Sequence, residues 1–295
     1  MENTDRQDDA RVVQDDARVV ALGERDLAGC LALSKSANWN QNEADWRLML
    51  AHGRGWGVML ADHTLAASTI ILPYGDKFAW VSMVLVLPEH RRRGFASQLL
   101  RKALIENSKS GLASILDATP AGHDVYLQEG FRDTWGFKRY ALHSQSKGAP
   151  TFGEVRPISK PDWPGILALD ARAFGASRES VLRNLAARLP GAALVVERNK
   201  KITGFVLGRD GREACQLGPL VATGEQAATE LLAAAIARTP APLYVDIADH
   251  APALQSWAQA RGFEFQRPFT RMVMGAARAP GNESLVYCPA GPELG

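Results

Sequence analysis

The chain repeats itself at a distance, and that repeat limits its fold more than any single residue does. Residues 55–71, "GWGVMLADHTLAASTII", read as two apolar strands joined by a polar turn, and residues 191–208, "GAALVVERNKKITGFVLG", read the same way. Helical segments precede each hairpin, over residues 24–33 and 43–51 in the first half and 162–174 and 178–188 in the second. After each hairpin come a strand, a long helix, another strand, a short helix and a Gly-Phe pair, first Gly130-Phe131 and then Gly262-Phe263. A fixed order of elements recurring at similar spacing means two copies of one α/β unit. At 295 residues and 46% hydrophobic, the chain is long enough for two cores. The run "SQSKGAPTFGE", residues 144–154, has the Ser, Gly and Pro content of a linker. The expected division is a mobile leader at 1–17, a first unit at 18–147 and a second at 148–295.

The leader carries a duplication, because "QDDARVV" fills residues 7–13 and again 14–20. Two heptads are too few for a coiled coil, so the segment reads as an acidic tail whose end supplies a strand at residues 18–22. The formal charge of +2 comes from 34 basic and 32 acidic residues, which gives no electrostatic case for nucleic acid or an anionic membrane as partner. Cys30, Cys215 and Cys288 lie far apart without disulfide or metal-ligand spacing. They fit a reducing cytoplasm and no metal. The longest apolar runs, around residues 79–87 and 231–237, are too short to span a bilayer, so the chain reads as soluble.

Chemistry concentrates in "VSMVLVLPEHRRRGFASQLLRKAL", residues 81–104: an apolar strand, a proline stop, a basic run and a helix that starts through a glycine. A strand that feeds a helix through a tight turn leaves backbone N–H groups without intrahelical partners at the positive end of the helix dipole. That spot binds phosphate. Gly94 lets the backbone approach an anion, Ala96 does not crowd it, and Arg91, Arg92 and Arg93 add charge suited to a polyphosphate. The following helix sets Leu99, Leu100, Ala103 and Leu104 on one face and Arg101 and Lys102 outside. Neither Gly-x-x-x-x-Gly-Lys-Ser/Thr nor Gly-x-Gly-x-x-Gly is present, which excludes the common triphosphate and dinucleotide loops.

The run Arg91-Arg92-Arg93-Gly94-Phe95-Ala96 resembles the Arg/Gln-x-x-Gly-x-Gly/Ala signature of GNAT superfamily N-acetyltransferases, and "VLVLPEH" looks like the strand that leads into it. The segment "ILDATPAGHDVYLQEGF", residues 115–131, is similar to that family's strand, loop, helix and Tyr-x-x-x-Gly-Phe ending, with Tyr126, Gly130 and Phe131 matching. The resemblance covers most of the chain after the leader. It implies two tandem GNAT-type domains of a bacterial kind, α/β (α+β) in class, each a mixed, largely antiparallel central sheet flanked by helices, the second degenerate. It implies acetyl-CoA as co-substrate, its pyrophosphate held by Arg91, Arg92, Arg93, Gly94, Phe95, Ala96 and Ser97 and its pantetheine arm lying along Leu85, Val86 and Leu87. It also implies that Tyr126 protonates the departing thiolate, a role that suits a positioned phenol. Thr119 stands where many relatives carry a cofactor-contacting asparagine, so no role carries over to it.

The base for the attacking amine is harder to find, since residues 79–87 offer no carboxylate and Glu89 lies past the proline. Asp117, at the end of the next strand, is the expected base, with capping of the "DATPAG" turn as the competing reading. Asn38, Trp39 and Asn40, in a loop ahead of a helix, are the expected acceptor contacts, and their chemistry suits a small amine or amino-acid-like molecule. In the second half Gln226 takes the slot of Gly94 when the two Leu-Leu pairs are aligned, and Ala258 falls where Tyr126 would be. The anion site and the phenol are both missing there. Arg267, Arg271 and Asp246 either reach an acidic or zwitterionic acceptor across the domain interface or form strand-end ion pairs. The expected function is acetyl transfer from acetyl-CoA to a primary amine of a small molecule, by a monomer or homodimer. A protein or peptide N-acetyltransferase and a non-catalytic acyl-CoA-binding regulatory module are the alternatives: the first wants an open groove, and Tyr126 speaks against the second.

Overall fold

The computed structural model describes residues 17–144 and 154–295. The first half runs β1 (Arg18–Leu22), α1 (Leu27–Ser36), α2 (Glu43–His52), β2 (Arg54–Met59), β3 (Leu65–Tyr74), β4 (Phe78–Val86), α3 (Phe95–Lys109), β5 (Ala113–Ala118), α4 (Pro120–Gln128) and β6 (Arg132–Leu142). The second runs β7 (Val155–Pro157), α5 (Trp163–Phe174), α6 (Glu179–Arg188), β8 (Leu194–Arg198), β9 (Lys201–Arg209), β10 (Cys215–Ala222), α7 (Glu225–Arg238), β11 (Leu243–Ala248), α8 (Pro252–Gln259) and β12 (Glu264–Met274), followed by β13 (Val286–Cys288). Among the described residues the repeat is present strand for strand and α-helix for α-helix, and only β13 has no counterpart. The leader through residue 16 and the seam expected at 147 and 148 lie outside the described residues. Among the described residues no helix is long and apolar enough to cross a membrane.

Local chemistry explains the layering. β3 is apolar on both faces because helices cover both. Ile70 and Leu72 meet Leu33 of α1 and Trp46 of α2, whereas Ala67 and Ile71 meet Leu99 and Leu100 of α3. Each fully buried aliphatic side chain of this kind contributes about 1.5–3 kcal/mol. α2 starts at Asn42, whose side chain accepts from the Asp45 amide while Asp45 accepts from the Asn42 amide, a reciprocal cap.

All the strands join in one sheet, in the order β1-β2-β3-β4-β5-β12-β6-β11-β10-β9-β8-β7, with β13 pairing β10. Among the described residues only β4 with β5 and β10 with β11 run parallel. The two units do not close their sheets separately. β12 of the second half lies between β5 and β6 of the first, setting Arg271 opposite Asp117 and Phe269 opposite Phe137. β6 in turn lies between β12 and β11, setting Arg139 opposite Asp246. The units have therefore exchanged their last strands, and Phe137 and Phe269 stack at 5.0 Å where the exchanged strands meet. The two separate sheets expected from the repeat give way to one fused sheet, while the expected linker lies outside the described residues.

The core crosses the seam as well. Phe174 of α5 sits edge-on to Tyr74 at 4.8 Å and to Phe78 at 5.4 Å, completing the packing behind β3 and β4. The residues after β13 thread into the same seam. There the Tyr74 hydroxyl donates to the Leu294 carbonyl at 2.9 Å, Trp80 Nε1 donates to the Pro292 carbonyl at 2.9 Å, and Arg178 donates to the Gly295 carbonyl.

Candidate active site

β4 and β5 pair over three positions, Phe78 with Ala113, Ala79 with Ser114 and Trp80 with Ile115, and then diverge. The register of β4 against β3 shifts near Met83, a non-glycine residue at φ 52°, and this bulge turns the strand as it leaves β5. From Val81 on, one edge of β4 therefore faces a cleft instead of a strand. Leu85 is buried and Val86 and Leu87 half-buried along this edge, with the Arg91 Nε donating to the Val86 carbonyl at 3.4 Å.

The turn that follows has the geometry an anion needs. Gly94 is the N-cap of α3 at φ 79°, in the left-handed region that favours glycine. Gln98 is the first residue to donate back, to the Gly94 carbonyl at 3.0 Å, which leaves the amides of Phe95, Ala96 and Ser97 directed out of the helix start. A Cβ on Gly94 would meet nothing within 4 Å, so open space lies over those amides. Arg91 and Arg92 are exposed beside it. Arg93 reaches His90 Nδ1 at 3.2 Å and lies over the Phe95 ring at 4.9 Å, while the Phe95 side chain anchors the turn in the core. These groups fit the pyrophosphate of acetyl-CoA: fixed donors, a helix dipole and exposed cations around an open approach.

At the other end of the cleft lies a small cavity of about 40 Å³, lined from the first half by Trp39, Asn40, Gln41, Ser82, Asp117 and Tyr126 and from the second by Arg267, Phe269, Pro292 and Glu293. Tyr126 is half-buried on α4, its ring edge-on to Phe131 at 6.0 Å. Desolvation pushes its phenol pKa up to about 12, so at neutral pH it is a proton donor.

Four of the residues considered for the site, Asp117, Arg271, Asn40 and Asp246, take other duties. Asp117 accepts from Arg271 through both oxygens, Nε at 2.8 Å and Nη2 at 2.9 Å, and Arg271 is sandwiched between Trp80 at 4.5 Å and Trp135 at 4.3 Å. Burial pushes the Asp117 pKa up against the opposing pull of Arg271. Where a free base was expected, Asp117 instead anchors β5 to β12, each of its oxygens accepting from a guanidinium fork. Asn40 lines the cavity, but its side chain donates to the Ala214 carbonyl and accepts from the Glu213 and Ala214 amides, clamping the loop to the second half. Asn38 is exposed at φ 53° in the turn and does not reach the cavity, whereas Trp39 does. Asp246 is likewise a partner of Arg139, through two bonds of 2.7 Å. Gln41 and Glu293 are cavity residues that sequence reasoning passed over. Gln41 adjoins the named loop, but nothing local in "AGPELG" announces that Glu293 returns to a cleft formed by residues so far upstream.

The equivalent cleft of the second half is closed. β10 and β11 also pair over three positions, from Cys215 with Leu243 to Leu217 with Val245, but β13 then pairs β10, Leu220 with Cys288 and Val221 with Val286. α7 starts from Gly224, so alignment by helix cap places Gly224, rather than Gln226, opposite Gly94. Its φ of −172° is extended, so the left-handed turn is absent all the same. Ala258 does replace Tyr126: the Phe131 amide donates to the Tyr126 carbonyl and the Phe263 amide to the Ala258 carbonyl, marking the same position.

A strand pair that splays beside a glycine-started helix, with a phenol at the cleft's end, defines an acyltransferase of the GNAT type. Residues 15–133 and residues 166–288 each match an acetyltransferase (GNAT) domain family, and the chain belongs to that family, carrying two of its domains in tandem. It is 22% identical over 247 residues to the uncharacterized N-acetyltransferase YitH of Bacillus subtilis, covering 83% of this chain and 87% of that one. It is 25% identical over 234 residues to the holothin acyltransferase of a Pseudoalteromonas species, covering 78% and 77%. Among solved structures, a putative acetyltransferase from Pyrococcus horikoshii superposes with a TM-score of 0.79 at 20% identity, covering 95% of this chain and 96% of that one. The last comparison speaks to the fold.

Proposed function

We propose that the first-half cleft transfers an acetyl group from acetyl-CoA to the primary amine of a small molecule. The observation that carries this reading is the cavity itself: it ends at Tyr126 and is roofed by β12 and by the residues after β13, so it admits a compact acceptor and offers no open groove for a polypeptide. Acetyl-CoA supplies an acyl carbon activated as a thioester; the neutral amine attacks that carbon, the carbon–nitrogen bond forms as the carbon–sulfur bond breaks, and the proton shed by nitrogen restores the Tyr126 phenol by way of solvent. The amides of Phe95, Ala96 and Ser97 hold its pyrophosphate, Arg91 and Arg92 neutralise charge beside them, and the cleft-facing edge of β4 at Leu85 and Val86, continued by Leu87, lies along its pantetheine arm. Tyr126 donates its proton to sulfur as the carbon–sulfur bond breaks, a role that its raised pKa keeps available across the neutral range. The acyltransferase names of the two relatives support acyl transfer. The cytoplasm and a monomer or homodimer are the setting that goes with this reading.

A screen of small amines and of peptide N-termini, read by release of CoA thiol, tests it. Release with small amines at rates well above acetyl-CoA hydrolysis is the expected result. Release with peptides alone would transfer the activity to a polypeptide acceptor, and tight acetyl-CoA binding without release to any amine would leave an acyl-CoA-binding module.

A further inference from the structure

Three buried polar atoms on residues lining the active-site cavity have no hydrogen-bond partner among the described residues: Gln41 Oε1, Glu293 Oε2 and Arg267 Nε. The charges around them are matched. Arg139 holds Asp246, Arg271 holds Asp117, and Arg209 reaches Asp45 at 2.8 Å and Glu293 Oε1 at 2.5 Å. Glu293 thus keeps one oxygen engaged and one unmet, although the residue is only 2% exposed. Gly291 makes room for that carboxylate, since a Cβ there would lie 2.9 Å from Oε2. Arg267, set on β12 beside Arg139, has no ion-pair partner among the described residues and rests over the Phe269 ring at 5.4 Å. Buried donors and acceptors are rarely left unmet, and unmet ones in a cavity point to a ligand.

We propose that Gln41, Glu293 and Arg267 form the acceptor site, and that the acceptor is a small amine that also carries a carboxylate. Its ammonium donates to Glu293 and Gln41, and its carboxylate accepts from Arg267. This rests on the acetyltransferase reading of the same cavity. The polarity of the unmet atoms selects the class: an ammonium has only donors and meets two acceptors, while a carboxylate has only acceptors and meets a guanidinium. A plain alkylamine leaves Arg267 unmet, and a simple carboxylic acid leaves Glu293 facing a like charge. Two of the three residues come from the second half, which gives the degenerate domain a part in choosing the substrate.

The test uses matched pairs, amino acids against their carboxamides, with two readouts: CoA-thiol release and direct calorimetric binding to the full chain. The expected result is that the wild type prefers the acid in each productive pair, and that Arg267→Gln lowers the acid-to-carboxamide ratio of kcat/KM by tenfold to a hundredfold, with Arg267→Lys recovering part of it. Glu293→Gln is expected to raise KM for both members, and Gln41→Leu serves the same purpose if Glu293→Gln does not fold. Thiol release with amines that shows no preference for the acid, in wild type or variant, overturns the proposal and leaves the acetyltransferase reading standing. Binding of acids that Arg267→Gln abolishes, without any thiol release, supports the site and removes the acetyltransferase reading. Neither binding nor turnover of any acid-bearing amine overturns the proposal.

Discussion

Past Trp80 the gap between β4 and β5 stays clear, whereas past Leu217 the equivalent gap between β10 and β11 receives β13. Both gaps begin after the same three paired residues, so the scaffold is conserved between the halves and only its occupant differs. A splayed strand is an unpaired sheet edge, and such an edge has to be met by something. In the first half it is left for a ligand's amides. In the second the chain fills it with its own strand, and the left-handed glycine and the phenol are missing from the site that β13 has sealed. The difference teaches that a GNAT-type cleft is lost by being filled as much as by losing side chains.

The sharpest way to break this comparison is a matched pair of substitutions. Gly94→Asp is expected to abolish acetyl-CoA binding, because unit charges about 4 Å apart near a protein surface repel by about 4 kcal/mol, several hundredfold in affinity. Gly224→Asp, at an extended and open position, is expected to leave binding as it is, with calorimetry showing one acetyl-CoA per chain in both wild type and variant. Two equivalent sites would put the second cleft back in play. Next in size, Tyr126→Phe is expected to lower kcat by roughly tenfold to a thousandfold at similar acetyl-CoA affinity. In wild type the pH profile of kcat should show no loss from phenol ionisation until well above pH 10, because the Tyr126 pKa is raised to about 12 and the acid form persists below it.

Smaller effects report on the contacts that hold the halves together. Asp117→Asn leaves the Arg271 guanidinium buried without its partner, and is expected to cost about 3–5 kcal/mol of stability in chemical denaturation, with a turnover loss far below that of Tyr126→Phe. A loss of activity in a fully stable variant would return Asp117 to catalysis. Asn40→Ala removes three hydrogen bonds to residues 213 and 214 and is expected to cost about 1–3 kcal/mol.

The parts of the fold that were legible in the sequence are local ones. The strand at Arg18–Leu22, the hairpins and the helix face of Leu99, Leu100, Ala103 and Leu104 follow from periodicity and turn chemistry over a few residues. Gly94 was legible for the same reason, since strand, turn and helix start are contiguous. What could not be read is what the strand exchange creates. Asp117 looks like a free strand-end carboxylate until β12 brings Arg271 beside it, and Asn40 looks like a loop amide free for a ligand until the second half meets it. Arg267 and Asp246 were noticed together as charges, but only the pairing of β6 with β11 shows that Asp246 is taken by Arg139 and Arg267 is not.

The exchanged strands also set a timetable for the molecule's birth. β5 is complete at Ala118, but the strand that covers its edge begins at Glu264, so at a synthesis rate of about 5–20 residues per second the edge waits on the order of ten seconds on the ribosome for its neighbour. The next strand made in that interval is β6, which must finally lie beyond β12 instead of against β5. The protein is therefore not inherited as two interchangeable modules: a recombination crossover at the seam would hand each half a foreign strand in the middle of its sheet.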